Sequence, residues 1–202
     1  RKEVHTEVEN GLQTYTLQNP TGFPQMEIPA DNPMTVEGVA LGRKLFYDPI
    51  LSGNQSQSCS SCHQQEFAFS DSGKRVSTGI DGLPGTRNAQ AIVNPGFQQR
   101  FFWDGRAIGL EQQILGPVPN PLEMHLSWKK AAERLSNHPE YRKEFKRVFG
   151  SEKIDSGHVS KAIAQFLRTF ISANSRFDKR ARNELNLSLS ELNGYVIFNT
   201  ER

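Results

Sequence analysis

The chain has 202 residues, 36% hydrophobic and 23% charged, enough to build one ordinary core or two small ones and too apolar for a disordered chain. Lysine and arginine number 24 against 22 aspartates and glutamates, and a net charge of +2 gives no broad field for nucleic acid or an anionic membrane. No apolar run reaches the roughly 18 residues of a transmembrane segment, and the Arg1-Lys2-Glu3 start lacks the apolar stretch of a signal peptide, so a soluble, already processed chain is expected.

Residues 1 to 33 mix polar side chains with Pro20, Pro24, Pro29 and Pro33 and show no sustained period, which predicts an extended arm wrapping the domain. Thr35 is placed to cap a helix that turns Val36, Val39, Ala40, Leu45 and Phe46 toward a core, with Pro49 just beyond its end. From Ser70 to Pro95 the chain is dense in Gly, Ser, Asp, Asn and Pro and predicts a long functional loop. A helix starting near Ile108 carries Gln113. Ser127 caps a helix over Trp128 to Leu135, and Pro139 opens another that carries Tyr141, Phe145 and Val148 and stops at Gly150, a helical hairpin. Val159, Ile163, Phe166, Leu167, Phe170 and Ile171 form an apolar stripe at helical spacing, and Ser188 with Glu191 makes a capping box before Leu192, Val196 and Phe198. Strand patterns are scarce, so the fold is expected to be mostly α.

The chain has two cysteines, Cys59 and Cys62, and the residue that follows decides their use. His63 completes Cys-Ser-Ser-Cys-His, in which two thiols form thioethers to haem vinyl groups and the adjacent imidazole reaches the iron. A zinc site would need two more nitrogen or sulfur ligands, and a redox dithiol would follow a strand of a βαβ unit that the sequence does not contain. Covalent haem attachment places assembly outside the bacterial cytoplasm, so a periplasmic location is expected.

The far side of the iron decides function: a strong sixth ligand gives electron transfer, whereas an open position admits peroxide. Met124 is one candidate sixth ligand and His125 a second, while His5, His138 and His158 are expected at the surface or at helix ends. Against a methionine ligand, Glu123 precedes Met124, and a carboxylate near the iron is costly to bury without work or a partner. Peroxide cleavage needs a group that moves a proton between the two oxygens; Glu123 is a candidate, with a surface loop carboxylate as the alternative. Gln113 can orient peroxide or water through its amide. Trp103, in the run Phe101-Phe102-Trp103, is either an oxidisable ring or plain core.

The segments DNPMTVEGVALGRKLFYDPILS, CSSCH, TRNA, FFWDGRAIGLEQQ, GPVPNPLEM and NSRFD, in that order, resemble the bacterial di-haem cytochrome c peroxidase and MauG family over nearly the whole chain. The resemblance implies a cytochrome c-like haem domain with long loops over residues 1–153, the N-terminal peroxidatic one, and the start of a second cytochrome c-like domain over residues 154–202. It implies His63 as proximal ligand, Glu123 as distal acid/base, Gln113 as distal glutamine, Trp103 as electron relay between two haems, and Asn88 as a calcium ligand. It further implies hydrogen peroxide as substrate and a small electron donor, a cytochrome c or cupredoxin; a homodimer stays open. Many members carry a histidine in the loop after the first haem motif that fills the sixth position at rest. The stretch Ser70 to Gly85 has none, which implies an open, high-spin haem as in the MauG-like branch. A second haem motif is expected after Gly194-Tyr195-Val196-Ile197-Phe198, so the chain is expected to be the N-terminal part of a longer two-haem protein holding one haem c of two.

Overall fold

Thr35 ends the N-terminal arm and starts the first helix: its hydroxyl accepts a hydrogen bond from Gly38 N–H at 3.0 Å, satisfying a donor that the helix itself leaves free. That junction belongs to a computed structural model that describes residues 11–200; His5 and the first ten residues of the expected arm lie outside the described residues. From residue 11 on, the arm is irregular and runs beside the start of the helix, with Tyr15 N–H donating to Met34 O and Val36 N–H to Gln13 O. It buries Leu12 and Met26.

The elements follow as α1 (Val36–Tyr47), a 3-10 turn (Pro49–Leu51), α2 (Cys59–Cys62), the long loop, β1 (Arg100–Phe101), β2 (Ala107–Ile108), α3 (Leu110–Ile114), α4 (Trp128–Asn137), α5 (Pro139–Phe149), α6 (Ser156–Arg168), α7 (Arg176–Ala181) and α8 (Leu189–Thr200). The two strands form one antiparallel hairpin, so the described fold is mostly α as expected. No helix among the described residues is long and apolar enough to cross a membrane. Ser127 caps α4, Pro139 opens α5 and Gly150, at φ 66°, ends it in the left-handed conformation that glycine adopts without a Cβ penalty. Ser188 and Glu191 bond reciprocally at the start of α8, the expected capping box.

One cluster of buried side chains joins Leu41, Leu45 and Phe46 of α1 to Leu135 of α4, Tyr141 and Phe145 of α5, and Ile163, Phe166 and Leu167 of α6. The buried face of α1 is Gly38, Leu41, Gly42, Leu45 and Phe46, and Ala40, expected to face the core, is exposed. The helix turns its glycines, Gly38 and Gly42, toward α6 instead. A Cβ on Gly42 would lie 1.9 Å from the carbonyl oxygen of Ala162, so only glycine lets the α1 and α6 backbones meet here.

The boundary expected between residues 153 and 154 falls inside this core. Ile154, Val159, Ala162 and Ile163 belong to the same buried cluster as α1. The apolar stripe of α6 has its partner within the first unit. Beyond it, α7 and α8 bury none of their residues, and Leu189 and Phe198 are more than 80% exposed.

Gly42→Ala should therefore destabilise the protein by about 1–3 kcal/mol or more, although alanine favours an isolated helix over glycine by about 1 kcal/mol. A lower urea midpoint at unchanged slope would show it; an unchanged or raised midpoint would mean that the helices do not touch at this point.

Candidate functional site

Ser58 starts α2 with its N–H bonded to Ser61 Oγ at 3.0 Å, and His63 N–H closes the turn on Cys59 O, also at 3.0 Å. Three residues apart on a helical turn, Cys59 and Cys62 project to the same side, and both are free thiols. Burial pushes the Cys59 thiol up to about 12 and raises Cys62 as well.

His63 is held by the chain that follows it. Ala68 and Phe69 both adopt positive φ, 55° and 57°, an uncommon conformation for side-chain-bearing residues that turns the backbone back on itself. Phe69 N–H donates to Gln64 O at 2.8 Å, and the carbonyl of Phe69 meets His63 Nδ1 at 2.8 Å. With Nδ1 as the donor, Nε2 presents its lone pair outward, the arrangement of a histidine that ligates a metal through Nε2. Burial lowers the pKa of His63, which favours the neutral ring that ligation needs.

Opposite this motif stands a turn containing Glu123. Asn120 organises it: its backbone oxygen accepts from Glu123 N–H and His125 N–H, both at 3.0 Å, its Oδ1 accepts from Leu122 N–H at 3.0 Å, and its Nδ2 donates to Glu123 Oε1 at 2.6 Å. Two neighbouring loops grip the same segment. Ile80 N–H donates to Glu123 O at 2.9 Å and Gly53 N–H to Met124 O at 2.7 Å. Gly79 allows the first of these approaches, since a Cβ there would lie 2.3 Å from Leu122 O. His125 Nδ1 and Asp81 Oδ2, 2.5 Å apart, close the turn at the surface.

Burial raises the Glu123 carboxyl above the usual glutamate value, opposed by the Asn120 amide and the positive charge of Arg106. The charge of Glu123 acts on both Cys59 and Cys62, so the carboxyl and the two thiols share one compartment. Met124, the rival ligand, is 6% exposed and packs in the main core cluster with Val118 and Leu126. His125 is an exposed partner of Asp81.

The other sequence candidates lie nearby in the chain but in different settings. Gln113 is half-buried on α3, and its amide makes no hydrogen bond among the described residues. Trp103 is 61% exposed, unlike Phe101, which is core; its ring N–H donates to the carbonyl of Asn88 at 2.9 Å. Asn88 itself donates through Nδ2 to Lys74 O at 2.8 Å, which leaves its side-chain oxygen to accept. No group of three or more His, Cys, Asp or Glu side chains suited to a metal occurs among the described residues. Asn120 escaped the sequence reading, although an Asn-Pro pair with a carboxylate three residues on is a legible turn signal.

These residues fit a covalently attached haem. Two unpaired thiols on one side of a helical turn match its two vinyl groups, and an oriented, neutral imidazole follows them. Ser77 Oγ, which bonds toward the Cys62 thiol and favours its ionised form, is buried and finds no oxygen or nitrogen partner among the described residues.

Comparison with known proteins agrees. The di-haem cytochrome c peroxidase family matches residues 36–186. The chain is 37% identical to the cytochrome c551 peroxidase of Nitrosomonas europaea over 87% of its own length and 52% of the relative's. It is 38% identical to the methylamine utilization protein MauG of Methylorubrum extorquens over 84% of its length and 48% of that protein. Among solved structures, a MauG-like protein associated with microbial copper homeostasis superposes with a TM-score of 0.83 at 36% identity, covering 92% of this chain and 55% of that one. The chain thus spans about half the length of the relatives it matches, and by fold, haem-attachment motif and sequence it belongs to the di-haem cytochrome c peroxidase and MauG family.

Proposed function

We propose that this chain is the peroxide-reacting haem portion of a periplasmic two-haem enzyme that reduces hydrogen peroxide to water with electrons from a small redox protein. The observation that carries the reading is Glu123: a carboxyl raised by burial, held on a backbone turn gripped by two loops, in one compartment with the haem-attachment thiols. Cys59 and Cys62 would hold one haem c covalently and His63 would ligate its iron. The bound haem supplies a site for peroxide and electrons for its O–O bond.

The chain supplies the proton chemistry. With Oε1 bonded to Asn120, the free Oε2 of Glu123 takes a proton from one peroxide oxygen and returns it to the other, which leaves as water. The Gln113 amide, without a hydrogen-bond partner among the described residues, orients the substrate. Trp103, exposed beside Asn88, passes electrons arriving from a second haem outside residues 11–200, and calcium at Asn88 belongs to the same junction. Residues beyond α6 open the second unit in this reading.

MauG-like oxidation of a residue on a partner protein is a second reading, favoured by the absence of histidine from Ser70 to Gly85 and by the 38% identity to MauG. Product analysis separates the two: a peroxidase consumes a small electron donor, whereas the alternative leaves an oxidised partner protein.

Glu123→Gln should load haem normally and slow the peroxide reaction by about 10²- to 10⁴-fold in stopped flow; a parental rate would remove Glu123 from the chemistry. The resting ferric spectrum should be high-spin, and a bis-histidine or methionine-ligated low-spin spectrum would count against an open site. The same variant tests the electrostatics. Folded Glu123 holds its proton to higher pH than the ordinary value of 4.5, so the wild type loses stability as pH rises through the raised value, and a glutamine does not. The urea midpoint of Glu123→Gln should match the wild type near pH ~4 and exceed it near pH ~8; the reverse order would mean that the pocket stabilises the charged carboxylate.

A further inference from the structure

We propose that Asn120 is the positioning residue of this site: it fixes which oxygen of the Glu123 carboxyl faces the substrate and which stays occupied. The proposal rests on reading Glu123 as the proton carrier. Five hydrogen bonds converge on this one asparagine: its N–H donates to Pro117 O at 3.3 Å, and the other four hold the turn and the carboxyl. Its backbone oxygen takes the N–H groups of Glu123 and His125, which sets the course of the chain through the turn. Its Oδ1 takes Leu122 N–H, which locks the side-chain amide against that backbone and settles the amide orientation, because only the oxygen can accept. The Nδ2 must then point onward, and it meets Glu123 Oε1 at 2.6 Å.

A carboxylate with one oxygen bonded to an immobile donor cannot rotate freely about its last torsion, so Oε2 is left as the oxygen for proton transfer. The donor also opposes the effect of burial by favouring the ionised form. A base that must first accept a proton needs that help in an apolar pocket. The other groups acting on Glu123 do not duplicate it. Arg106 contributes charge while its guanidinium is spent on Asp104 and stacks 3.6 Å from the centre of the Phe102 ring. The thiols of Cys59 and Cys62 lie on the attachment side, and the Asp81–His125 pair holds the far end of the turn at the surface.

Asn120→Asp tests this in the haem-loaded protein. Aspartate keeps the acceptor for Leu122 N–H and replaces the donor with a second carboxyl oxygen against Glu123, so the two must share a proton. The acid limb of the peroxide reaction should move up by about one pH unit or more, with haem loading and the resting spectrum unchanged. The C=O stretch of protonated Glu123, identified by its loss in Glu123→Gln, should titrate at correspondingly higher pH in the infrared. Asn120→Ser, which retains an acceptor for the turn and withdraws from Glu123, should slow the neutral-pH reaction about tenfold and also raise the infrared titration. It keeps the test decisive should the aspartate variant fail to fold. If both variants leave the infrared titration and pH profile at parental values while Glu123→Gln is slow, the role of Asn120 is overturned and that of Glu123 stands. If Glu123→Gln reacts at the parental rate, the proton-carrier reading itself fails, and the infrared titration still reports whether Asn120 controls the carboxyl.

Discussion

The contact between the α1 and α6 backbones at Gly42 and Ala162 governs the placement of both walls of the haem compartment. Because the helices touch without an intervening side chain, Phe46 and Phe166 interlock edge to face at 5.5 Å, and Phe170 beyond the end of α6 stacks on Phe69 at 4.1 Å. Phe69 is the residue whose carbonyl orients His63. The same crossing acts on the opposite wall through polar side chains. Gln165 accepts from Thr35 N–H and donates to Asn32 Oδ1, Asn32 donates to Glu111 Oε1, and Arg168 forms a two-point pair with Glu111. Glu111 lies two residues before Gln113 on the short helix α3. A helix of five residues has little stability of its own, so its orientation is set by what it is tied to.

That polar network is buried, and its geometry explains why it can be. Gln165 and Arg168 are almost fully enclosed, and each meets partners whose donor and acceptor character matches its own. Left half-satisfied, such a group would destabilise the fold by more than an apolar replacement, because an unmade buried hydrogen bond costs the full desolvation of the group. Completed, it fixes register: α6 cannot slide along α1 by one turn without breaking the bonds to Thr35, Asn32 and Glu111 together.

Much of this organisation is legible in the sequence, wherever the signal is local. Cys59, Cys62 and His63 name their cofactor by spacing, Thr35 and Ser127 announce helix starts, and Pro139 with Gly150 brackets a helix. What escapes is set by contacts between distant segments. Ala40 reads as a core residue because alanine fits either face, and only the partner helix decides that the glycine side turns inward. The stripe on α6 announces a buried helix without saying in which core, and only the packed structure shows that it buries against α1. The site shows the same division. Glu123 is a candidate from composition and order, whereas Asn120 matters through one amide orientation that no periodicity encodes, and Gly79 through an approach to a backbone more than forty residues away.

The two ionisable groups that flank the compartment respond to one physical cause in opposite senses. Burial lowers His63 and raises Glu123, so the same apolar surroundings favour the neutral form of each. A carboxyl lifted by burial lies closer to neutral pH than an exposed glutamate, the direction that general acid/base chemistry requires. The two walls differ in how far this is allowed to go. His63 donates to the carbonyl of Phe69, and that bond holds the ring in the tautomer that leaves Nε2 with its lone pair. Glu123 receives a donor and the influence of a cation, which hold its rise in check.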